Sequence, residues 1–173
     1  MATGRNTLLT KQLGEYLVAA ELSRRGFIAT TFTGNVPHFD ILVADAEGRS
    51  LPIQVKAIKG GDWQFDARQF VNITLKGERQ VLGAKTKAPH DSLVCVFVVV
   101  SETYGADRFF VFEWLELQRV AAALYRRYIK AKGGIRPRNP GSFHLGVSPD
   151  GLSEFENTKD RDTWALIALR LRS

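Results

Sequence analysis

The stretch PHFDILVADAEGRSLPIQVK, residues 37–56, decides the predicted fold because it contains two apolar strands joined by a polar turn. Three polar side chains, those of Asp40, Gln54 and Lys56, lie inside these strands, where an ordinary core strand carries Val or Ile. A carboxylate, an amide and an ammonium are costly to bury unless they are paired, hydrogen-bonded or bound to a ligand. Their presence in one hairpin therefore indicates a polar site.

The turn of this hairpin determines which side chains meet. With residues 45–49 as the loop, the predicted pairs are Ala44 with Ser50, Leu42 with Pro52, and Asp40 with Gln54. Directly opposed residues of an antiparallel pair point to the same face, and Lys56, two residues beyond Gln54, shares that face. Asp40, Gln54 and Lys56 are therefore predicted to converge in this register, whereas a slip of one residue would separate them.

The first predicted helix, residues 6–25 ended by Gly26, adds a carboxylate to this set. Glu15 lies on the side of the helix that also carries Leu8, Val18, Ala19 and Leu22. A carboxylate in an apolar stripe needs a partner. Glu15 is thus a candidate to reach the polar cluster of the hairpin.

The rest of the chain predicts one continuous architecture without repeats or linkers. Strands are expected at 27–33, 38–44, 51–58, 92–100 and 107–114, a helix at 114–132, and an exposed loop at 133–142. Residues 61–73 are ambiguous, and 163–171 fit either a helix or a strand. The prediction is a single domain, 1–173, of the α/β class, a sandwich whose mixed central β-sheet is flanked by helices.

Positive charge is concentrated in one part of the chain, which has a net charge of +6. Residues 117–149 contain no Asp or Glu but seven cations: Arg119, Arg126, Arg127, Lys130, Lys132, Arg136 and Arg138. Such a block suits a phosphate backbone, although basic faces also occur in proteins with no polyanionic partner. We expect it to contact DNA together with Lys59, which follows the hairpin.

The remaining composition points to a protein of a reducing compartment. The single cysteine, Cys95, lies in an apolar run and excludes an intramolecular disulfide. The first residues lack the long apolar core of a secretion signal, and the longest apolar stretch, 93–100, is too short to span a bilayer. We therefore expect a cytoplasmic protein with no membrane partner.

Two carboxylates, an amide oxygen and a lysine form a set suited to metal-assisted hydrolysis. Mg²⁺ prefers hard oxygen ligands, usually one or two carboxylates with waters and phosphate oxygens. Asp40, Gln54, the backbone carbonyl of Val55 and Glu15 are the candidate ligands for Mg²⁺ or Mn²⁺. Lys56 is the candidate to position the attacking water or stabilise the developing anion.

The segments GEYLVAAELSRRGF (14–27), HFDILV (38–43) and LPIQVK (51–56) resemble the PD-(D/E)xK nuclease superfamily. The resemblance covers residues 8–58 and is greatest to archaeal Holliday-junction resolvases and the catalytic domains of Mrr-like restriction nucleases. It implies a restriction-endonuclease-like fold, with Glu15, Asp40 and Gln54 as metal ligands and Lys56 as the catalytic lysine. Two departures are Phe39, where members often have Pro, and Gln54, which replaces the commoner glutamate.

These observations predict a metal-dependent endonuclease that hydrolyses DNA phosphodiester bonds. The alternative is a catalytically inactive module of the same fold that binds nucleic acid or a protein partner. A metal-independent RNA nuclease of the tRNA-splicing type is disfavoured, since no Tyr, His and Lys set accompanies the basic block. Asp40 and Lys56 could also form a buried ion pair without chemistry. A homodimer is compatible with cleavage of both strands.

Overall fold

A computed structural model of the protein describes residues 4–32, 37–153 and 164–172. The helices are α1 (Gly4–Arg24), α2 (Trp114–Ala131), α3 (Pro149–Ser153) and α4 (Ala165–Leu171). The strands are β1 (Ile28–Thr31), β2 (Ile41–Ala44), β3 (Ser50–Ile58), β4 (Trp63–Asp66), β5 (Val71–Lys76), β6 (Arg79–Lys85), β7 (Val94–Val99), β8 (Arg108–Glu113) and β9 (His144–Val147).

The chain forms two compact units. The first unit comprises the described parts of Met1–Gly61, Pro89–Trp114 and Glu156–Ser173. The second comprises those of Asp62–Ala88 and Leu115–Phe155. The organisation of 1–173 as a single domain stays a prediction.

The first unit is built on a five-stranded sheet in the order β1-β2-β3-β7-β8. β3 and β7 are parallel, whereas the other neighbouring strands are antiparallel. The sheet packs against helices through a core that includes Val18 and Leu22 of α1 and Ile167 and Leu171 of α4. The predicted α/β class, with a mixed central sheet flanked by helices, is therefore confirmed.

The hairpin has the predicted register from Ile41 to Ala44, but the predicted pair of Asp40 with Gln54 is not formed, because the Asp40 N–H donates to the carbonyl of Ile53 instead. Its pairs are Ala44 with Ser50, Val43 with Leu51, Leu42 with Pro52 and Ile41 with Ile53. The turn is held by Asp45, whose Oδ1 accepts hydrogen bonds from the backbone N–H groups of Glu47 and Arg49 at 3.1 and 3.0 Å. Gly48 in this turn has a φ of 79°, a conformation that glycine adopts at little cost. The local turn chemistry thus fixes the register on which the convergence of polar side chains depends.

Helix α1 ends where the sequence predicts. The N–H of Phe27 donates to the carbonyl of Leu22 at 3.1 Å, and Gly26 has a φ of 86°. This is the left-handed glycine ending that satisfies the last carbonyls of a helix. The chain can therefore reverse directly into β1.

The second unit contains the structure that the sequence left unassigned. The ambiguous residues 61–73 form β4, a short 3-10 helix (Ala67–Gln69) and the start of β5. The hairpin of β5 and β6 and the pairing of β4 with β9 were not predicted. Strand β6 extends to Lys85.

Two buried glutamines hold the second unit together around α2. Gln118 donates to the carbonyls of Phe70 and Thr86 at 3.0 and 2.8 Å. Gln80 donates to the carbonyl of Ser142 at 3.0 Å and accepts from the Tyr125 hydroxyl at 2.7 Å. Gln80 is bonded through both its amide nitrogen and its oxygen, so it specifies how β6 and the 133–142 loop pack against the helix.

Gly14 provides a test of how closely α1 packs on the sheet. A Cβ at this position would overlap the Cβ of Ala57 and lie 3.6 Å from Cγ1 of Val55. We expect Gly14→Ala to lower the free energy of unfolding by about 1–3 kcal/mol, because overpacking outweighs the better helix propensity of Ala. Urea denaturation followed by circular dichroism measures the change.

Gly14→Ala combined with Ala57→Gly should recover part of this loss, since the overlapping methyl group is removed. Ser23→Ala, at an exposed position of the same helix, is the matched control and should change stability by less than about 0.5 kcal/mol. A Gly14→Ala protein more stable than the wild type would show that α1 and β3 are not in this close contact.

Candidate active site

Asp40 lies at the point where the pairing of β2 and β3 stops. The last paired residues are Ile41 and Ile53, and the N–H of Asp40 donates to the carbonyl of Ile53 at 2.8 Å. Oδ2 of Asp40 accepts from the N–H of Val55 at 2.8 Å. The Asp40 side chain thus takes the place of a strand partner along β3, and its carboxylate is held by the backbone.

Glu15 and Asp40 both contact the ammonium of Lys11, a residue that was not predicted from the sequence to belong to the site. The ammonium of Lys11 lies 3.6 Å from Oε1 of Glu15 and 3.3 Å from Oδ1 of Asp40. The two carboxylate side chains are 14% and 16% exposed, and the Lys11 side chain is 50% exposed. A lysine four residues before a glutamate in a helix is the available sequence signal. It does not by itself predict the contact with Asp40.

The proximity of two carboxylates changes the acidity of this cluster. Burial and the charge of Asp40 raise the pKa of Glu15 above its ordinary value, although Lys11 acts in the opposite direction. Burial lowers the pKa of Lys11, but attraction to Asp40 and Glu15 outweighs this effect and raises it. The cluster therefore favours a positive charge next to the carboxylates.

Gln54 and Lys56 lie on the other face of β3. Val55 and Ala57 face Gly14 of α1, so the alternating residues Gln54 and Lys56 point away from this helix. Both are half-buried. Asp40 precedes β2, and its carboxylate contacts both the Val55 N–H and Lys11 of α1. Asp40 and Glu15 therefore meet at the helix side of β3, one residue from Gln54 and Lys56 along that strand.

Cys95 of β7 lies beside these polar side chains. It pairs with Gln54 in the parallel register of β3 and β7. Burial raises the pKa of the Cys95 thiol to about 12; Lys56 acts to lower this pKa and Asp40 to raise it. Both charged groups thus act on the same buried thiol.

The donor set at this point of the sheet fits a hard divalent cation. Among the residues that the structure describes, no three His, Cys, Asp or Glu side chains are grouped closely enough to hold a metal. Mg²⁺ requires only one or two carboxylates when neutral oxygens and waters complete its shell. Oxygens of Glu15 and Asp40 already share one cation, the Lys11 ammonium. In a β-strand, the N–H and the carbonyl of one residue point to the same edge. The carbonyl of Val55 would therefore point toward Asp40, as its N–H does, and would add a neutral ligand.

The predicted DNA-contacting residues fall in both units. Lys59 follows β3 in the first unit and lines a cavity of about 240 Å³ together with Asn6, Leu9, Thr10 and Leu13 of α1. The basic block belongs to the second unit. Its exposed members are Arg119, Arg126, Arg127 and Lys130 on α2, and Lys132 and Arg138 after it.

Arg136 differs from the other cations of the basic block. It is half-buried, donates to the carbonyl of His144 at 2.7 Å and lies over the Tyr128 ring, 5.1 Å from its centroid. These contacts tie the 133–142 loop to α2 and β9. Trp63 and Phe65 of β4, in the same unit, are buried and belong to its core.

Comparisons with known proteins give little further information. No protein-family model and no curated protein sequence matches the chain. The chain is similar to a solved structure of a bacterial homing endonuclease, I-Ssp6803I, with 15% identity and a TM-score of 0.42. This similarity covers 92% of this chain and 86% of that one. Within 4–32, 37–153 and 164–172, the helices lack the length and apolar character needed to cross a bilayer.

The acidity of Cys95 predicts its chemical behaviour. With a pKa of about 12 in the folded protein, the thiol is almost entirely protonated at pH 8. We expect native Cys95 to react with iodoacetamide at least about a thousandfold more slowly than in the urea-unfolded chain, where the thiol pKa is about 8.5. Mass spectrometry of the alkylated protein measures both rates, and Cys95→Ser is the unlabelled control.

The same shift has a consequence for stability. The folded protein binds the thiol proton more tightly than the unfolded chain does. The contribution of Cys95 is therefore fully present below about pH 8.5 and is lost as the pH rises toward 12. A native alkylation rate within tenfold of the unfolded rate would contradict this burial of Cys95.

Proposed function

We propose that the protein is a Mg²⁺- or Mn²⁺-dependent nuclease of the PD-(D/E)xK superfamily that hydrolyses phosphodiester bonds of DNA. The observation that carries the proposal is the meeting of Glu15 and Asp40 at one cationic centre beside the start of β2. The residues on either side of Val55 in β3, Gln54 and Lys56, would supply an amide and an ammonium to this centre. This set combines metal ligands with a cation for the reacting phosphate.

The carboxylates of Glu15 and Asp40, the amide oxygen of Gln54 and the carbonyl of Val55 would hold the metal. When bound, Mg²⁺ would offset charge on the phosphate and lower the pKa of the attacking water. The N–H of Val55 holds Oδ2 of Asp40 in place. The Asp40 carboxylate is therefore already positioned to act as a metal ligand. Gln54 contributes no charge, so metal affinity depends more strongly on Glu15 and Asp40.

Lys56 has the role of orienting the attacking water and stabilising negative charge that develops on the phosphate oxygens. In this reaction the water oxygen forms a bond to phosphorus while the bond to the leaving oxygen breaks. A positively charged ammonium contributes most when the phosphate carries its highest charge, in the transition state. Lys56 is therefore proposed as a catalytic residue with little part in ground-state DNA binding.

The exposed cations of the second unit are proposed to bind the DNA backbone. Arg119, Arg126 and Lys130 are spaced seven and four residues apart, so they lie on one exposed face of α2. Arg136, engaged with His144 and Tyr128, is better suited to support the neighbouring loop. DNA contact at Lys59, Arg127, Lys132 and Arg138 belongs to the same proposal.

Neutralising this face of α2 should weaken DNA binding. We expect the triple variant Arg119→Gln, Arg126→Gln and Lys130→Gln to bind duplex DNA at least about tenfold more weakly. The slope of log affinity against log salt concentration should become less steep by about two to three, since each phosphate contact releases about one counterion. Fluorescence anisotropy at several salt concentrations measures both quantities.

A matched control removes the same charge from the first unit. Arg24, Arg49 and Arg172 are exposed, and their replacement by Gln should change the salt slope by less than one. If the two triple variants bind DNA equally well, α2 is a solvated face without a DNA-binding function.

Lys56→Ala should remove cleavage while preserving DNA binding. We expect the cleavage rate to fall at least about a hundredfold and the Kd for DNA to change less than about threefold. The assay uses linear, nicked, single-stranded and branched DNA with Mg²⁺, Mn²⁺ or EDTA. Cleavage that survives Lys56→Ala would place the active site elsewhere in the chain.

Gln54→Glu is the companion variant, because an added carboxylate should tighten Mg²⁺ binding in a calorimetric titration. A wild type that binds DNA but neither binds metal nor cleaves any substrate would overturn the nuclease proposal. It would favour the alternative, a nuclease-fold module that only binds nucleic acid or a protein.

A further inference from the structure

We propose that Lys11 is a built-in competitor of the metal, which occupies the Glu15 and Asp40 carboxylates until a DNA phosphate attracts it away. Metal binding and DNA binding would thereby become coupled. This inference rests on the proposed function and concerns the regulation of the same site. Its basis is the position of one ammonium at 3.6 Å from Oε1 of Glu15 and 3.3 Å from Oδ1 of Asp40.

Lys11 occupies the place that a divalent cation would need. Both carboxylates point an oxygen at its ammonium, and the other oxygen of Asp40 is engaged by the Val55 N–H. A metal bound between these oxygens would lie within a few ångströms of the Lys11 charge. Repulsion between like charges at such a distance is strong in a partly buried site, so the ammonium must leave when the metal enters.

Lys11 is free to make this movement. Its side chain is 50% exposed, whereas those of Glu15 and Asp40 are 14% and 16% exposed. A lysine carries its charge on a flexible four-carbon stem. Lys11 can therefore turn toward solvent while α1 and the carboxylates remain in place.

The charge balance explains why the exchange would need DNA. Without metal, two carboxylates are matched by two ammonium groups, those of Lys11 and Lys56, and Gln54 adds no charge. A divalent cation balances the charge of the two carboxylates, so an anion is then needed to balance the ammonium groups. A backbone phosphate supplies that anion and gives Lys11 a new partner.

Donors for a backbone phosphate lie on another side of α1. Asn6 and Thr10 line a cavity of about 240 Å³ that also contains Lys59, and Lys11 is not among its lining residues. An amide, a hydroxyl and an ammonium are common donors to phosphate oxygens. A DNA strand held at this cavity would supply a neighbouring phosphate that attracts Lys11 away from Glu15 and Asp40.

The test is a calorimetric titration of Mg²⁺ into the wild type, Lys11→Met and Lys11→Arg, each without DNA. Lys11→Met keeps an apolar stem but removes the charge, so its Kd for Mg²⁺ should be at least about tenfold lower than that of the wild type. Lys11→Arg keeps the competing charge and should stay within about threefold. Lys11→Gln, an uncharged second variant, should behave like Lys11→Met.

The titrations are repeated with a non-cleavable phosphorothioate duplex. DNA should lower the Kd of the wild type for Mg²⁺ at least about tenfold, and Mg²⁺ should tighten DNA binding by the same factor. In Lys11→Met this coupling should be at least about threefold smaller than in the wild type, because only the direct attraction between phosphate and metal remains. Arg24→Met is the matched control, since it removes a cation of α1 paired with Glu21 at 2.6 Å, and it should match the wild type.

Two results would overturn the inference in different ways. In the first, the wild type binds Mg²⁺ and cleaves DNA, but Lys11→Met and Lys11→Gln bind Mg²⁺ no more tightly than it does. Lys11 then does not compete with the metal, and the proposed function stands. If neither the wild type nor these variants binds Mg²⁺, with or without the duplex, the proposed function fails together with the inference.

Discussion

The hydrogen bond from the Val55 N–H to Asp40 is the interaction on which the site depends. β2 begins at Ile41, so β3 continues past the start of its antiparallel neighbour with a backbone donor that needs a partner. The Asp40 carboxylate accepts it at 2.8 Å. This one hydrogen bond thus satisfies the backbone donor of Val55 and fixes a carboxylate beside the strand that carries Gln54 and Lys56. Replacing Asp40 by an apolar residue would leave the Val55 donor unsatisfied as well as remove the charge.

In the proposed site, groups from the two faces of the sheet have to approach one another where the pairing of β2 and β3 begins. Glu15 comes from the helix side, and Gln54 and Lys56 point to the opposite side. Inside a continuous sheet, the backbone and its side chains would separate them. The close contact of Gly14 with Ala57 brings α1 against β3 one residue before Glu15. Glycine at this position therefore determines how near the helix carboxylate comes to Asp40.

Local chemistry explains which features could be predicted from the sequence. The Asp45 and Gly48 turn fixes the hairpin register, and Gly26 ends α1. Pairing between distant segments has no comparable local signal. β4 pairs with β9 across about eighty residues, with Asp66 opposite His144, and both strands are short. The role of Lys11 was missed for a related reason: it is exposed on α1, and its contact with Asp40 depends on how the helix lies on the sheet.

Gln54 and Lys11 can be understood together in the proposed nuclease. A glutamate at position 54 would give the metal-free site three carboxylates against Lys11 and Lys56, and burial makes excess charge costly. With glutamine, the two carboxylates and two ammonium groups balance without a metal. That balance favours the folded, metal-free protein but leaves too little negative charge to hold Mg²⁺ strongly. The backbone phosphate of DNA would supply the missing charge, so in this proposal the substrate completes the metal site that the protein provides only in part.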